Sequence, residues 1–338
     1  MPRGTRAAAA VLLAALLLVF LHACLKLSPH DAWLLLEHGP LTLRQAQVSA
    51  TVPLPRLAGN AFAYATLVNN AHYVHLCTVL AASLRASGSK HPLLVLALPE
   101  ALRAGTGIDA LRGLDGVIVL PIKPLPITPN IRLDQAHWLF AFSKLRIWQQ
   151  TQYTRLVYID GDSLVLRNLD YLFHVALRPG SVAAARDVHA CNQSRAVLRM
   201  MSSLMVVEPS LASFDGLVSL MPRARWRNGD QQLIRAYFTH HGAGVSLVNE
   251  TDAAFVHRCR CADFAAGTPG TPAGPAVVHF TTAFAPTWSQ GQASTRRMEA
   301  HGWCKTRAGS VSCTGCANKA YEHWIRLRKQ LDASGVES

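Results

Sequence analysis

Between Phe62 and Leu120 the chain alternates short apolar runs with amphipathic stretches, and few architectures accept that alternation. The runs Phe62 to Val68, Leu93 to Leu98 and Val117 to Leu120 are short, apolar and bounded, so they read as strands. His72 to Ser87 and Glu100 to Arg112 read as helices. A β-α-β-α-β series needs crossover helices between parallel strands. The predicted fold class is therefore α/β, with a Rossmann-like, mostly parallel central sheet and helices on both faces. Such sheets bind ligands beyond the carboxyl ends of their strands.

A Pro-rich link from Pro121 to Pro129 precedes a predicted helix at Phe142 to Thr151 and a strand at Leu156 to Ile159. Asp160-Gly161-Asp162 falls where that strand stops. A short helix near Asp170 to Phe173 follows, then strands at Val182 to Ala185 and Leu204 to Val207. Helices at Leu211 to Leu220 and Asp230 to Phe238 and a late strand at Val277 to Phe280 complete the pattern. No internal repeat is present, and Ala265 to Gly274, rich in Gly, Pro and Thr, reads as a surface loop.

Two carboxylates one residue apart at the end of a buried strand can present oxygens to one hard cation, and Gly161 between them lets a ligand approach the backbone. That arrangement suits a metal bridging a diphosphate, where it acts as a Lewis acid. The same triplet also occurs in turns and helix caps. His279, in another apolar strand, could add a nitrogen ligand; the alternative is a satisfied core histidine. Mixed oxygen and nitrogen ligation favours Mn2+ over magnesium or calcium.

At 338 residues, half of them apolar, the chain can bury one sizeable core or two small ones. Residues 7–25 are almost wholly apolar and follow Arg3 and Arg6, which reads as a signal anchor with a cytoplasmic tail at 1–6. A cleaved signal peptide and a lipoprotein signal ending at Cys24 are the alternatives. Residues 27–60 read as a stem. Eight cysteines, five of them at 259, 261, 304, 313 and 316, suit an oxidising compartment. Disulfides are the first reading of that cluster and zinc ligation the second, because the spacing of Cys259 and Cys261 is short for a zinc knuckle. Acceptor triplets at Asn192 and Asn249 agree with a lumenal catalytic part. The expected location is the Golgi membrane, single-pass and type II. A formal charge of +13 favours anionic ligands. No basic helix with interleaved aromatics is present, so nucleic acid is not an expected partner.

Six ordered segments between Phe62 and Trp288 resemble glycosyltransferase family 8, the glycogenin-like enzymes with a GT-A fold. They are Thr66 to Tyr73; Ser143-Lys144-Leu145 with Trp148; Tyr158 to Phe173; Ser202 to Ser210; Gly229-Asp230-Gln231; and Val278-His279-Phe280 up to Pro286 and Trp288. The resemblance implies a GT-A domain over residues 61–290, followed by a Cys-containing extension at 291–338. It implies a UDP-sugar donor and a glycan or glycoprotein acceptor. Thr66, Asn70 and Tyr73 would lie against the nucleotide, and Lys144 would face the donor phosphates or sugar. Asp160, Asp162 and His279 would hold the metal, with Gly161 and Ser202 at the donor. Asp230 would sit near the anomeric centre. Four positions depart from the family: Met201 stands where Asn is usual, Ser203 where Gly is, and the closing motif lacks its Gly and Lys, having Thr282 and Ala285.

The resemblance also implies retention of configuration. No placed nucleophile is evident, so the expected course is front-face attack by the acceptor, with Asp230 and Gln231 stabilising the developing oxocarbenium and Asp187 holding donor hydroxyls. A non-catalytic nucleotide-sugar-binding scaffold is the alternative motivated by the departures at Met201, Thr282 and Ala285. Leu156 to Asp162 also resembles the first motif of haloacid-dehalogenase-type phosphatases, but that motif opens its domain, whereas here about a hundred residues of α/β pattern precede it.

Overall fold

The computed structural model of the chain describes residues 61–126, 136–186, 200–223, 226, 229–248, 253–255, 276–280, 287–289, 292–294, 303–306, 309–312 and 314–336. The predicted anchor, stem, Asp187, Asn192, Asn249 and the loop at 265–274 lie outside the described residues.

The first half follows the predicted alternation closely. Strand β1 (Phe62–Val68) leads into helix α1 (Ala71–Ala86), β2 (Leu93–Ala97), helix α2 (Ile108–Arg112) and β3 (Val117–Pro121). Asn70 starts α1 as its N-cap, its side-chain oxygen accepting the Tyr73 N–H at 3.0 Å. One expectation fails here: residues 100–112 are not one helix. A 3-10 turn at Pro99–Leu102 is separated from α2 by Gly105 and Gly107, both at φ +78°, a left-handed conformation that ends one helical run before the next begins.

A helical segment of 3-10 character, Ala136–Gln149, precedes β4 (Arg155–Ile159) and β5 (Ser163–Val165). Then come a 3-10 turn at Asp170–His174, β6 (Val182–Arg186), β7 (Met200–Val207), α3 (Leu211–Leu220), α4 (Gly229–His240) and β8 (Val245–Leu247). Short strands β9 (Ala253–Phe255), β10 (Val277–His279), β11 (Thr287–Ser289), β12 (Gln292–Ser294), β13 (Trp303–Thr306) and β14 (Gly309–Ser312) precede the C-terminal helix α5 (Thr314–Ala333).

The central sheet has seven strands in the order β3-β2-β1-β4-β7-β6-β8, and only β7 runs against the others. Residues of β1 divide between its faces: Tyr64 and Val68 join the core under α1 and α2, while Ala63, Ala65 and Leu67 join the core under Ala136–Gln149, α3 and α4. Both faces are thus dry, as a largely parallel sheet requires. The order reverses between β1 and β4, whose register sets Ala65 opposite Tyr158. This switch point opens the crevice expected of open α/β sheets, with Asp160 at its edge.

Two features re-aim the chain at that crevice. Between β6 and β7 the register jumps, with Ala184 opposite Met205 but Ala185 opposite Met201, so Ser202, Ser203 and Leu204 form a bulge beside the end of β4. A second, three-stranded sheet in the order β5-β10-β9 sets His279 opposite Ser163, one residue from Asp162. Its apolar side packs with α1 and α5: Leu76, Val79, Leu164, Val278, Phe280, Ala320 and Trp324 form one buried cluster.

Candidate active site

Asp160 and Asp162 leave β4 at the crevice, and β10 brings His279 to them across 117 residues of sequence. His279 Nε2 lies 3.1 Å from Asp162 Oδ1 and 3.7 Å from Asp160 Oδ2. One ligand atom from each of the three residues falls within 4.8 Å of the others. The Phe280 N–H donates to the Asp162 carbonyl at 2.9 Å, which ties the strand carrying the imidazole to the carboxylate it meets. Two carboxylates and an imidazole with this mutual proximity fit a divalent cation that accepts both oxygen and nitrogen.

The electrostatics agree with that fit. Burial pushes the Asp160 carboxyl up, against the pull of Lys144 and His279. Burial acts in the same direction on Asp162 but is outweighed by His279, which holds that carboxyl below its usual range. The imidazole, which burial would lower, is raised by Asp162 and Asp160. The pocket between these groups therefore favours positive charge.

Lys144 is the second centre. Its side chain is buried, and Nζ lies 3.0 Å from both Asp160 Oδ1 and Asp230 Oδ2. It also donates to the Ser202 carbonyl and hydroxyl, each at 3.3 Å, and sits 4.8 Å from the Tyr158 ring centroid. An ammonium has three N–H donors, and four acceptors surround this one. Although burial opposes its charge, the two aspartates raise its pKa, so it stays protonated. The Tyr158 hydroxyl donates to Asp160 Oδ1 at 2.9 Å, and the Ser202 N–H donates to Gln231 Oε1 at 3.3 Å.

The site residues read from the sequence therefore meet in two groups that share Asp160. Lys144, Ser202, Asp230 and Gln231 gather on one side through the β7 bulge and the start of α4. Thr66, Tyr73 and Gly161 meet on the other: a Cβ built on Gly161 would stand 3.5 Å from Tyr73 Cδ1 and 3.6 Å from Thr66 Oγ1. Asn70 joins this second group as the cap of α1. Lys144 meets carboxylates and Ser202, a direct bridge from the metal-side aspartate to Asp230. Met201 is buried in the core under α1 and α2. Thr282 and Ala285 lie outside the described residues, as do the cysteines other than Cys77, Cys304 and Cys316; buried Cys77 is a free thiol.

Two features of the site were missed in the sequence. Tyr158 reads as one more apolar strand residue, although its place two residues before Asp160 puts it on the same face. The bulge has no signal in Met-Met-Ser-Ser-Leu-Met-Val-Val beyond the paired serines.

Strand order, the single reversed strand and the carboxylate pair at the switch point define the GT-A glycosyltransferase fold. The solved structures agree: an active-site mutant of LgtC superposes with a TM-score of 0.50 at 15% identity, covering 77% of this chain and 95% of that one. The bifunctional glycosyltransferase WbbM superposes at 0.52 and 13% identity, covering 82% and 52%. No family model matches the chain.

In sequence the chain is similar to glycosyltransferases of Arabidopsis thaliana, in accord with the resemblance to family 8. Galactinol synthase 3 is 36% identical over 129 residues, 37% of this chain and 36% of that protein. UDP-glucuronate:xylan alpha-glucuronosyltransferase 1 is 30% identical over 182 residues, 52% of this chain and 25% of that protein. The chain thus spans well under half the length of either relative.

Proposed function

We propose that this protein is a metal-dependent glycosyltransferase that transfers a hexose from a UDP-sugar to a glycan or glycoprotein acceptor with retention of configuration. The observation that carries this reading is the meeting of Asp160, Asp162 and His279 at the switch point, between the Thr66, Tyr73 and Gly161 wall and the Lys144, Ser202, Asp230 and Gln231 group. The sugar nucleotide in the name of one relative, UDP-glucuronate:xylan alpha-glucuronosyltransferase 1, supports it.

The three ligands would hold Mn2+, which neutralises charge on the leaving diphosphate when bound. Thr66, Asn70 and Tyr73 form the wall against which the nucleotide lies. Lys144 holds Asp160 and Asp230 at a fixed separation, so the carboxylate that faces the anomeric carbon cannot drift from the one that faces the metal. Asp230 and Gln231 stabilise positive charge as the bond from anomeric carbon to phosphate oxygen breaks. The acceptor oxygen bonds to that carbon on the same face, and its proton passes to the departing phosphate oxygen. Asp187 is assigned to the donor hydroxyls on the resemblance alone. The apolar run at 7–25 and the glycosylation triplets support a type II Golgi membrane protein with a lumenal site.

The test is UDP release from a panel of UDP-sugars by the full chain, with Mn2+ and with chelator, beside Asp162→Ala. Turnover of a donor only with metal, lost in the variant, is the expected result. Binding of UDP with no turnover of any donor would instead make the protein a nucleotide-sugar-binding scaffold.

A further inference from the structure

Tyr158 is a core residue with one polar atom to place. It is 1% exposed and lies in mid-sheet, paired with Ala65 of β1 on one side and Met205 of β7 on the other, and all three belong to one apolar cluster. A phenylalanine would fill that space as well, because exchanges that conserve shape and volume cost a core little, so packing does not account for the hydroxyl. The hydroxyl instead reaches the edge of the crevice, where it donates to Asp160 Oδ1 at 2.9 Å.

That bond decides which oxygen of Asp160 is left over. A carboxylate oxygen accepts about two hydrogen bonds. Oδ1 takes the Tyr158 hydroxyl at 2.9 Å and Lys144 Nζ at 3.0 Å, which fills it. Oδ2 is the oxygen turned to His279, 3.7 Å from Nε2. The two donors on Oδ1 differ in what else they serve. Lys144 is shared among Asp160, Asp230 and Ser202, whereas the Tyr158 hydroxyl sits on a ring fixed between two strands and meets Asp160. We propose that Tyr158 is a positioning residue that pins Oδ1 of Asp160 from within the core, so that Oδ2 is held toward the cation that Asp162 and His279 would share. This rests on the metal-dependent reading above. Groups that hydrogen-bond a ligating carboxylate fix its orientation, and losing one lowers metal affinity by about 10–100-fold.

The experiment titrates Mn2+ into the full chain by calorimetry with saturating UDP, for wild type and Tyr158→Phe. It adds the Kd for UDP in chelator, the melting temperature, and UDP release at varied Mn2+ from the UDP-sugar that wild type turns over fastest. The expected result is Mn2+ affinity lowered about tenfold in the variant, with an unchanged Kd for UDP in chelator and a melting temperature within about 4 °C of wild type. Because the defect lies in holding the metal, kcat at saturating Mn2+ returns to within about twofold of wild type. Equal Mn2+ affinity in the two proteins overturns the proposal and leaves Tyr158 a packing residue. A UDP affinity in chelator that falls in step with Mn2+ affinity also overturns it, since that marks a site disturbed as a whole. Wild type that releases UDP yet binds no Mn2+ overturns the metal-dependent reading itself, a result distinct from the other two.

Discussion

At the scale of single residues, Gly161 separates a role in the fold from a role toward a ligand. Its φ is not left-handed, and the nearest atoms to an added Cβ stand at 3.5 to 3.6 Å, ordinary contact distance. The folded protein therefore accepts a methyl, and Gly161→Ala should leave stability unchanged or raise it by about 0.4–1 kcal/mol through the unfolded chain. UDP binding should nevertheless weaken by about tenfold or more, about 1.4 kcal/mol or more, because the methyl takes space beside Thr66 and Tyr73. Calorimetry on both variants checks this, and unaltered UDP affinity would remove Gly161 from the donor wall. Asp170 makes the opposite case, a carboxylate far from the site. It accepts from the Tyr64 and Ser89 hydroxyls, each at 2.7 Å, and from the Lys90 N–H at 3.2 Å. Burial would raise its pKa, but these donors outweigh it and hold the carboxyl below its usual range. Its folded pKa is thus the lower one, so its contribution is full above the unfolded value of about 3.9 and fades as pH falls through the folded value. Asp170→Ala should cost about 1–3 kcal/mol at neutral pH, since it leaves the buried Tyr64 hydroxyl unpaired. Urea melts at pH 7 and pH 3 test the sign: the gap from wild type should shrink at the lower pH, and a gap that widens there would reverse the assignment.

Among the elements, legibility followed length and period. Strands β1, β2 and β4 and helices α1 and α3 show in the sequence because five or more residues carry a clear apolar pattern. Strands β5 and β10, three residues each, are too short to carry any period, yet they create the metal-side geometry. His279 was found by its motif and chemistry, and its register opposite Ser163 was not. The C-terminal extension likewise shows an amphipathic stretch without showing what it covers. In the structure Trp324 of α5 is buried in one cluster with Val278 and Phe280, the residues that flank His279. Trp324→Ala should cost about 3–5 kcal/mol and raise the Mn2+ concentration for half-maximal activity several-fold, while Trp324→Phe restores much of both. Equal metal dependence in wild type and the Ala variant, measured below the melting range, would confine α5 to general stability.

For the molecule as a whole, the fold class was legible because crossover helices between parallel strands admit few arrangements, and the candidate metal ligands were legible because Asp160, Asp162 and His279 fall at the ends of apolar strands. What was not legible is how groups far apart in sequence share partners. Lys144 joins Asp160 and Asp230 by contacts no local pattern encodes. Removing it leaves one buried and one partly buried carboxylate without their cation, so Lys144→Met should cost about 3–5 kcal/mol and abolish turnover together. Donor release and a thermal melt on one preparation check that pairing of effects; full stability with lost turnover would make Lys144 a ligand contact instead.

The account turns on one cation held by residues from two sheets. Titration calorimetry of Mn2+ into the full chain with UDP present, on wild type, Asp162→Ala and His279→Ala, tests it most directly. One ion per chain in the wild type, with affinity lowered about tenfold or more in each variant, is the predicted result. Mn2+ affinity that is the same in all three proteins would contradict it.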